Sequence, residues 1–248
     1  PAVVLLHGFS DNGLCWTRIA RVLETDYDVV MPDARNHGLS SAAQTSQELI
    51  AADVAALIQE LDLQSPRLIG HSMGAATAAR VAADYPTLVH SVILEDPPIR
   101  DAWPEPPKEG EEGKRNPWQW VIDLKSMTRD EMIATARKQG PTTTWSEEEL
   151  GPWADSKLQL NLDALNMFGR SREPMPSPYE ILERITCPIL LITADPERGA
   201  IVTPEAAQKA ASIWHDGRVV HIAGAGHNIR REQYDKFIEV VTAFLKEK

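Results

Sequence analysis

Residues 67–79 read RLIGHSMGAATAA, and this stretch decides the fold. The apolar run at 67–69 predicts a buried strand, and the small residues at 75–79 predict a helix. Between them, GHSMG fits the G-x-S-x-G pattern, in which a serine stands on a sharp turn between a strand and a helix. A glycine-rich turn capped by the serine hydroxyl is the alternative, but the setting favours a nucleophile. Ser72 is therefore the candidate nucleophile, and Met73 offers the N–H at the helix start to an oxyanion.

A serine nucleophile needs a base, and His227 is the histidine best placed to supply one. It lies in GAGHN at 224–228, a loop that leaves the last predicted strand, Val219–Ile222. Flanking glycines allow such a loop to bring the imidazole over the serine. His221 falls within that strand and is expected to pack there. A solvated loop histidine is the alternative interpretation of His227.

The carboxylate behind the histidine has three candidates. Asp195 directly follows the predicted strand Ile189–Thr193, at the carboxyl edge of the sheet, where the ligands of open α/β folds gather. Glu197 stands two residues further on, and Asp96 ends another predicted strand in ILEDPP. The position favours Asp195, although its side chain could instead cap the turn ADPERG. We therefore predict Asp195 as the third member of the triad.

Short apolar runs alternate with amphipathic stretches along most of the chain, which predicts a doubly wound α/β sheet of mostly parallel strands. One segment breaks this alternation. Residues 97–180 contain no convincing strand, and their helical stretches include 147–153 and 156–168. We interpret 97–180 as a helical cap or lid inserted into a core formed by 1–96 and 181–248.

The composition limits the classes of partner. A net charge of -11 argues against binding to nucleic acid or to anionic membranes. No apolar run reaches the roughly 18 residues that span a bilayer, and no leader with a charged start and an apolar run is seen. The two cysteines, Cys15 and Cys187, form no metal-binding pattern. We expect a cytoplasmic protein without metal or cofactor, and no oligomeric state follows from the sequence.

Together these motifs resemble the α/β-hydrolase superfamily, in its capped serine esterases and lipases, over nearly the whole chain. The resemblance rests on HGF at 7–9, PDARNHGLS at 32–40, GHSMG at 70–74, ILEDPP at 93–98, LLITADPERGAIVTP at 190–204 and AGAGHNI at 223–229. It implies that the Phe9 N–H in HGF is the second oxyanion donor, beside the Met73 N–H. The order Ser72, Asp195, His227 also agrees with the family order of nucleophile, acid and histidine.

The sequence departs from the family pattern at two points. The usual motif before an I-V-P stretch would put the acid at Gly199, so the assignment of Asp195 rests on its position alone. The two strands that usually lead the sheet are absent from this numbering, so we expect about six strands and not eight.

The resemblance implies hydrolysis of small to medium, fairly apolar carboxylic esters, lactones included, through an acyl-enzyme. The substrate is then a small molecule, and four tryptophans of the predicted cap could form an apolar wall over the serine. These are Trp118, Trp120, Trp145 and Trp153. Packing of the cap helices against one another is the equally weighted alternative for them.

Other reactions of the family remain open to this site. Relatives that open epoxides or remove halide carry an aspartate at the elbow, so Ser72 argues against both. Carbon–carbon bond hydrolases and cofactor-free perhydrolases keep the serine and are alternatives. A receptor that binds small ligands without catalysis, on a hydrolase fold, is the non-enzymatic alternative.

Overall fold

The sheet is parallel throughout. The computed structural model describes residues 1–99, 118–138, 140–168 and 176–247. Within these ranges six strands form one sheet in the order β2-β1-β3-β4-β5-β6, and each neighbouring pair is parallel. The strands are β1 (Ala2–Leu6), β2 (Asp28–Val30), β3 (Arg67–His71), β4 (Ser91–Glu95), β5 (Ile189–Thr193) and β6 (Gly217–His221). This sheet is the doubly wound arrangement that the sequence predicts.

Helices cover both faces of the sheet. Those of the core are α1 (Thr17–Leu23), α2 (Gln47–Glu60), α3 (Met73–Asp84), α7 (Pro178–Glu183), α8 (Pro204–Ala211), α9 (Ile229–Glu232) and α10 (Tyr234–Glu247). Between β4 and β5 the chain forms α4 (Gln119–Lys125), α5 (Arg129–Ala136) and α6 (Glu147–Gln159). Short 3-10 turns lie at Gly13–Trp16, Pro141–Thr144, Leu162–Phe168 and Pro196–Arg198.

The alternation of side chains along β1 explains why both faces need cover. Val4 and Leu6 pack into a core shared with α2 and α3. Val3 and Leu5 point the other way and pack into a second core shared with α1 and α10. Successive strand residues face opposite sides, so an apolar run such as AVVLL is stable only when helices bury both faces. Every residue of β1 is buried.

The helices between β4 and β5 have a small core of their own. Its buried members are Met132, Ala136, Trp145, Leu150, Trp153 and Ala154. The sequence predicts a break after Trp153, but α6 continues to Gln159. Its buried residues include Leu150, Trp153, Ala154 and Lys157, and this spacing of three to four keeps one helical face in contact with the protein.

Parts of the predicted insertion lie outside the described residues, namely 100–117, 139 and 169–175. We call α4, α5 and α6, with the 3-10 turns between α5 and α6 and at 162–168, the insert helices. Among the helices that the structure describes, none is both long and apolar enough to cross a membrane.

Candidate active site

The turn between β3 and α3 holds Ser72 in a strained backbone conformation. Its φ is 53° and its ψ is -114°, a region that costs a residue with a side chain about 1–3 kcal/mol. The neighbouring glycines have no room for a Cβ. One added to Gly70 would lie 2.2 Å from the Gly74 carbonyl oxygen, and one added to Gly74 would lie 2.1 Å from the Leu6 carbonyl oxygen. The sharp turn that the G-x-S-x-G pattern predicts is therefore present.

The loop that begins with HGF, at residues 7–11, lies directly beside this turn, and we call it the HGF loop. We call the turn between β3 and α3 the serine turn. A Cβ built on Gly8 would come within 3.4 Å of the Ser72 Cβ. Nε2 of His7 accepts the Ala34 N–H at 3.0 Å, so Nδ1 carries the proton and donates to the Gly8 carbonyl at 2.9 Å. Burial lowers the pKa of His7, which keeps this arrangement of donor and acceptor. His7 thus fixes the loop, and Phe9 follows at the edge of the serine turn.

His227 reaches the same edge and is held by two contacts. Its Nδ1 lies 2.6 Å from Oδ2 of Asp96, and its carbonyl lies 2.8 Å from Nε2 of His71. The rings of His71 and His227 are 4.6 Å apart between centroids. We call the loop at 224–228 the histidine loop. Since His71 directly precedes Ser72, these contacts bring the histidine loop to the serine turn. Burial, with Arg230 and His227 nearby, holds the pKa of His71 well below its ordinary value.

The carboxylate behind His227 is Asp96, which corrects the prediction of Asp195. Asp96 is fully buried, and its oxygens also accept the N–H groups of Ile201 at 2.8 and 3.0 Å and of Val202 at 2.9 Å. These donors and the imidazole compensate the burial of the carboxylate. With Nδ1 of His227 donating to Asp96, Nε2 of that ring is the unprotonated nitrogen.

Asp195 braces the histidine loop from a different point. One oxygen lies 2.9 Å from Nε2 of His221, and the other accepts the Gly224 N–H at 2.7 Å. That N–H holds the pKa of Asp195 below its usual range. Glu197, the remaining candidate, is exposed on the 3-10 turn that follows. Neither side chain is the hydrogen-bond partner of His227 Nδ1.

Strand register contains the signal that identifies Asp96. β4 pairs directly with β3, and His71 is opposite Glu95. The next residues along the two strands are Ser72 and Asp96, and the Ser72 N–H donates to the Glu95 carbonyl at 3.0 Å. Asp195 follows β5, which is one strand further from the serine. Strand order is not visible in a single sequence, so a position at the sheet edge could not separate the two aspartates.

One of the four predicted substrate-binding tryptophans contacts the HGF loop. The Trp118 ring lies 4.7 Å from the Phe9 ring and stacks on Phe168 at 4.1 Å, with Phe168 4.8 Å from Phe9. Trp120 is 46% exposed. Phe168 was not predicted for this site, since nothing in its local sequence distinguishes it from a packing residue.

Trp145 and Trp153 lie elsewhere, in the core of the insert helices. Their rings meet edge to face at 6.1 Å, and each is 8% exposed. Their packing corresponds to the alternative interpretation, in which tryptophans join helices to one another. For this pair, substrate binding stays a prediction.

A cluster of six buried charged side chains lies beside the site, and none of its members is predicted from the sequence pattern. Its members are Asp11, Glu95, Glu149, Lys157, Arg230 and Arg231. We call this the charge cluster. Its three carboxylates balance its three cations. The consecutive arginines at 230 and 231, just after the histidine loop, are the local signal for it.

Asp11 is the centre of the charge cluster. One oxygen accepts Lys157 Nζ at 2.8 Å, and the other accepts Nη2 of Arg230 at 3.2 Å and Nη2 of Arg231 at 3.0 Å. Burial alone would raise the pKa of Asp11, but the three cations hold it well below its ordinary value. Glu95 pairs with Arg230, and Glu149 pairs with Arg231. The charge cluster thus links the HGF loop, β4, α9 and α6.

Within the described ranges, no group of three or more His, Cys, Asp or Glu side chains is placed to hold a metal ion.

Comparisons with known proteins find chains that are similar in sequence and in fold. N-formylmaleamate deformylase of Pseudomonas putida is 28% identical, in an alignment that covers 98% of this chain and 88% of that protein. The crystal structure of E-2-(acetamidomethylene)succinate hydrolase superposes with a TM-score of 0.77 at 22% identity, covering 99% of this chain and 91% of the other. A thermophilic esterase from Thermogutta terrifontis superposes with a TM-score of 0.72 at 24% identity, covering 99% and 89%.

These structural similarities confirm the fold, and the sequence match extends along nearly all of it. Residues 3–240 match the alpha/beta hydrolase family, a range that includes all of β1 except Ala2, the strands β2 to β6, the serine turn and the histidine loop. The chain is therefore a hydrolase that belongs to the alpha/beta hydrolase family.

Proposed function

We propose that the chain is a serine hydrolase that cleaves carboxylic esters through an acyl-enzyme, with Ser72, His227 and Asp96 as the triad. The observation that carries the proposal is the hydrogen bond of 2.6 Å between His227 Nδ1 and the buried carboxylate of Asp96, beside a serine on a strained turn. A buried carboxylate fixes the tautomer in which Nε2 can take a proton. This arrangement is typical of nucleophilic catalysis.

The proposed reaction needs one proton carrier and two backbone donors. Nε2 of His227 takes the Ser72 hydroxyl proton while Oγ attacks the ester carbonyl carbon, and the imidazolium then gives that proton to the leaving alkoxide. Asp96 stabilises the imidazolium without taking its proton. His227 then takes a proton from water, whose oxygen attacks the acyl carbon; the bond from that carbon to Oγ breaks, and the imidazolium returns the proton to Oγ of Ser72 as the acid leaves.

The oxyanion is the charge that the site must stabilise. Met73 is the first residue of α3, and the first N–H groups of a helix have no partner within the helix. Phe9 lies on the loop that His7 holds beside Ser72. We propose the N–H groups of Phe9 and Met73 as the two donors, and the loss of one such donor costs about 3 kcal/mol of barrier.

An uncharged, fairly apolar acyl group fits the surroundings of the serine. Phe9, Trp118 and Phe168 form a cluster of three aromatic rings at this edge. The cations of the charge cluster each contact a carboxylate. Among the described residues, the aromatic cluster thus offers contacts to an apolar group, and the charge cluster is already neutral. We propose that the insert helices act as a cap over this site.

Hydrolysis of an N-acyl or N-formyl bond is the second candidate function. The observation in its favour is the relative from Pseudomonas putida, whose name describes a deformylase and whose alignment covers 98% of this chain. The same triad attacks an amide carbonyl, but the proton then goes to a leaving nitrogen. Carbon–carbon bond cleavage and perhydrolysis use the same residues and belong in the same substrate panel.

The nucleophile is tested by labelling with a fluorophosphonate and mapping the modified peptide by mass spectrometry. We expect one adduct, on Ser72, and none in Ser72→Ala. Ser40→Ala, which removes an exposed serine hydroxyl, is the matched control and should label like the wild type. Absence of an adduct on Ser72 in folded protein would overturn the proposal.

The reaction class is tested with a panel of nitrophenyl esters of increasing acyl length, lactones, N-formyl amides, diketones and peroxide with acetate. Turnover of neutral esters with little turnover of the amides supports ester hydrolysis. The reverse order supports the second candidate. Saturable thermal stabilisation by these compounds, with no turnover of any of them, would indicate a receptor.

A further inference from the structure

A lysine from the insert helices is buried against the HGF loop. Lys157 lies on α6 and is 1% exposed. Its ammonium group donates to the Ser10 carbonyl at 2.9 Å and to Oδ1 of Asp11 at 2.8 Å. A third contact, at 3.3 Å, joins it to the hydroxyl of Ser156. Lysine is almost never fully buried unless its charge is paired, so this placement requires the contacts to the loop.

The loop that Lys157 contacts is a strained turn. The Asp11 N–H donates to the Gly8 carbonyl at 3.1 Å, which closes a turn over residues 8–11. Ser10, third in that turn, has φ at 65°, a conformation that favours glycine. Phe9 is second in the turn, so the direction of its N–H depends on how the turn is held.

The turn is held from two sides. On the core side, His7 donates to the Gly8 carbonyl. On the other side, the contacts come from α6, where Lys157 binds Ser10 and Asp11 and the Gln159 side chain accepts the Asn12 amide at 2.8 Å. Asp11 stays charged because Arg231, Lys157 and Arg230 hold its pKa low. The charge that attracts the ammonium group is therefore present across the neutral pH range.

From this geometry we infer that Lys157 is a positioning residue, which orients the Phe9 N–H toward the oxyanion by holding the Ser10 carbonyl and the Asp11 carboxylate. The inference rests on the proposed function, since it presupposes an oxyanion at Ser72. It makes the docking of α6 a condition for catalysis as well as for substrate enclosure. Lys157 itself touches no reacting atom.

The test compares Lys157→Met with Glu149→Gln. Both remove a charge from the charge cluster and disturb the contact between α6 and the core, but Glu149 pairs with Arg231 and not with the turn. We expect Lys157→Met to lower kcat by about 10- to 100-fold with KM changed by less than about threefold. Glu149→Gln should keep kcat within about threefold of the wild type, even if its Tm falls as far as that of Lys157→Met.

A pair of ligands separates positioning from a general structural effect. An alkyl trifluoromethyl ketone adds to the serine and places an oxyanion in the site, whereas the matching methyl ketone binds without that charge. Lys157→Met should weaken the trifluoromethyl ketone by the same factor as kcat/KM and leave the methyl ketone unchanged. Equal weakening of both ligands would overturn the inference.

A second variant relieves the backbone strain of the turn and leaves the lysine contact in place. Ser10→Gly adopts a φ of 65° without strain, so in that background Lys157→Met should lose less kcat than it does alone. Where Lys157→Met does not fold, Lys157→Arg keeps the charge but displaces the donors, and it should lower kcat by about 10-fold with KM unchanged. A folded variant of either kind with wild-type kcat contradicts the inference alone. No turnover and no serine labelling in the wild type would overturn the proposed function, and the inference with it.

Discussion

Oδ2 of Asp96 accepts the Nδ1–H of His227, with 2.6 Å between the two atoms. The aspartate follows β4 directly and is fully buried. The histidine lies on the loop after β6, which Asp195 braces through Gly224. Two aspartates therefore support one histidine in different ways, Asp96 through the imidazole ring and Asp195 through the backbone of the loop at Gly224. This difference can be measured.

Replacing each aspartate by asparagine should separate these two roles. Asp96→Asn keeps the size but lets the amide donate to Nδ1, which favours the wrong imidazole tautomer. We expect kcat to fall about 10⁴-fold. Asp195→Asn keeps an acceptor for the Gly224 N–H, and we expect less than about a tenfold loss. Steady-state kinetics on the best ester of the panel measures both.

Thermal unfolding of the two variants is the control. Asp96→Asn must be folded at the assay temperature for its kcat to carry meaning. If Asp195→Asn proves the more damaging to kcat, while Asp96→Asn stays active, the assignment of Asp96 as the triad acid is wrong.

Local patterns in the sequence account for the part of the site that is local. The strand, turn and helix around Ser72 lie within 67–79, and the glycine loop around His227 lies within 224–228, so each is visible in one stretch. The partner of His227 depends instead on strand order. The sequence narrows the choice to three carboxylates, and only the pairing of β4 with β3 favours Asp96.

The charge cluster depends even more on tertiary contacts that the sequence does not show. Its members come from the HGF loop, β4, α6 and the start of α9, and apart from the adjacent arginines at 230 and 231 no spacing along the chain relates them. In sequence, Lys157 resembles any solvent-exposed lysine on a helix. It is buried because α6 docks where a carboxylate and a carbonyl face it. Such residues are identified by tertiary contacts and not by pattern.

Two tryptophans of the insert helices should respond differently to truncation. Trp118→Ala opens the aromatic cluster with Phe9 and Phe168, so we expect KM for long-chain or aromatic esters to rise about tenfold and KM for acetyl esters to change little. Trp153→Ala removes a buried ring from the core of the insert helices. We expect it to destabilise the fold by about 3–5 kcal/mol with little effect on relative KM values.

Measured KM across the ester series, together with urea unfolding of both variants, checks this prediction. If Trp118→Ala leaves the chain-length preference unchanged, the aromatic cluster does not contact substrate. A change of preference in Trp153→Ala alone would transfer that role to the core of the insert helices.

A buried histidine should make stability depend on pH in the acid range. Burial, with His7 close by, lowers the pKa of His37 to about 3. Between that value and its ordinary pKa the unfolded chain binds a proton that the folded protein does not, so stability is lost as the pH falls through this window. One such group contributes a slope of about 1.4 kcal/mol per pH unit.

The slope can be measured with His37→Gln, which keeps a donor for the Arg35 carbonyl that the imidazole contacts. Urea unfolding at several pH values from 6 down to 4 should give a slope smaller than that of the wild type by about 1.4 kcal/mol per pH unit. His90→Gln replaces an exposed histidine and should keep the wild-type slope. Identical slopes in all three proteins would mean that His37 is protonated in the folded state.

The glycines of the serine turn should tolerate no side chain, in contrast to a glycine of α6. A methyl group on Gly74 would lie 2.1 Å from the Leu6 carbonyl oxygen and 2.6 Å from that of His7, both backbone atoms of the sheet edge and the HGF loop. Gly74→Ala must therefore push the two oxyanion-donor segments apart. We expect about 3 kcal/mol of destabilisation and loss of activity in whatever protein folds.

Gly151→Ala, whose methyl would meet only the end of the Arg129 side chain at 2.9 Å, should instead stabilise α6 by about 0.5–1 kcal/mol. Denaturant unfolding of both variants decides the matter, because an active and stable Gly74→Ala protein is incompatible with a turn packed this closely against β1.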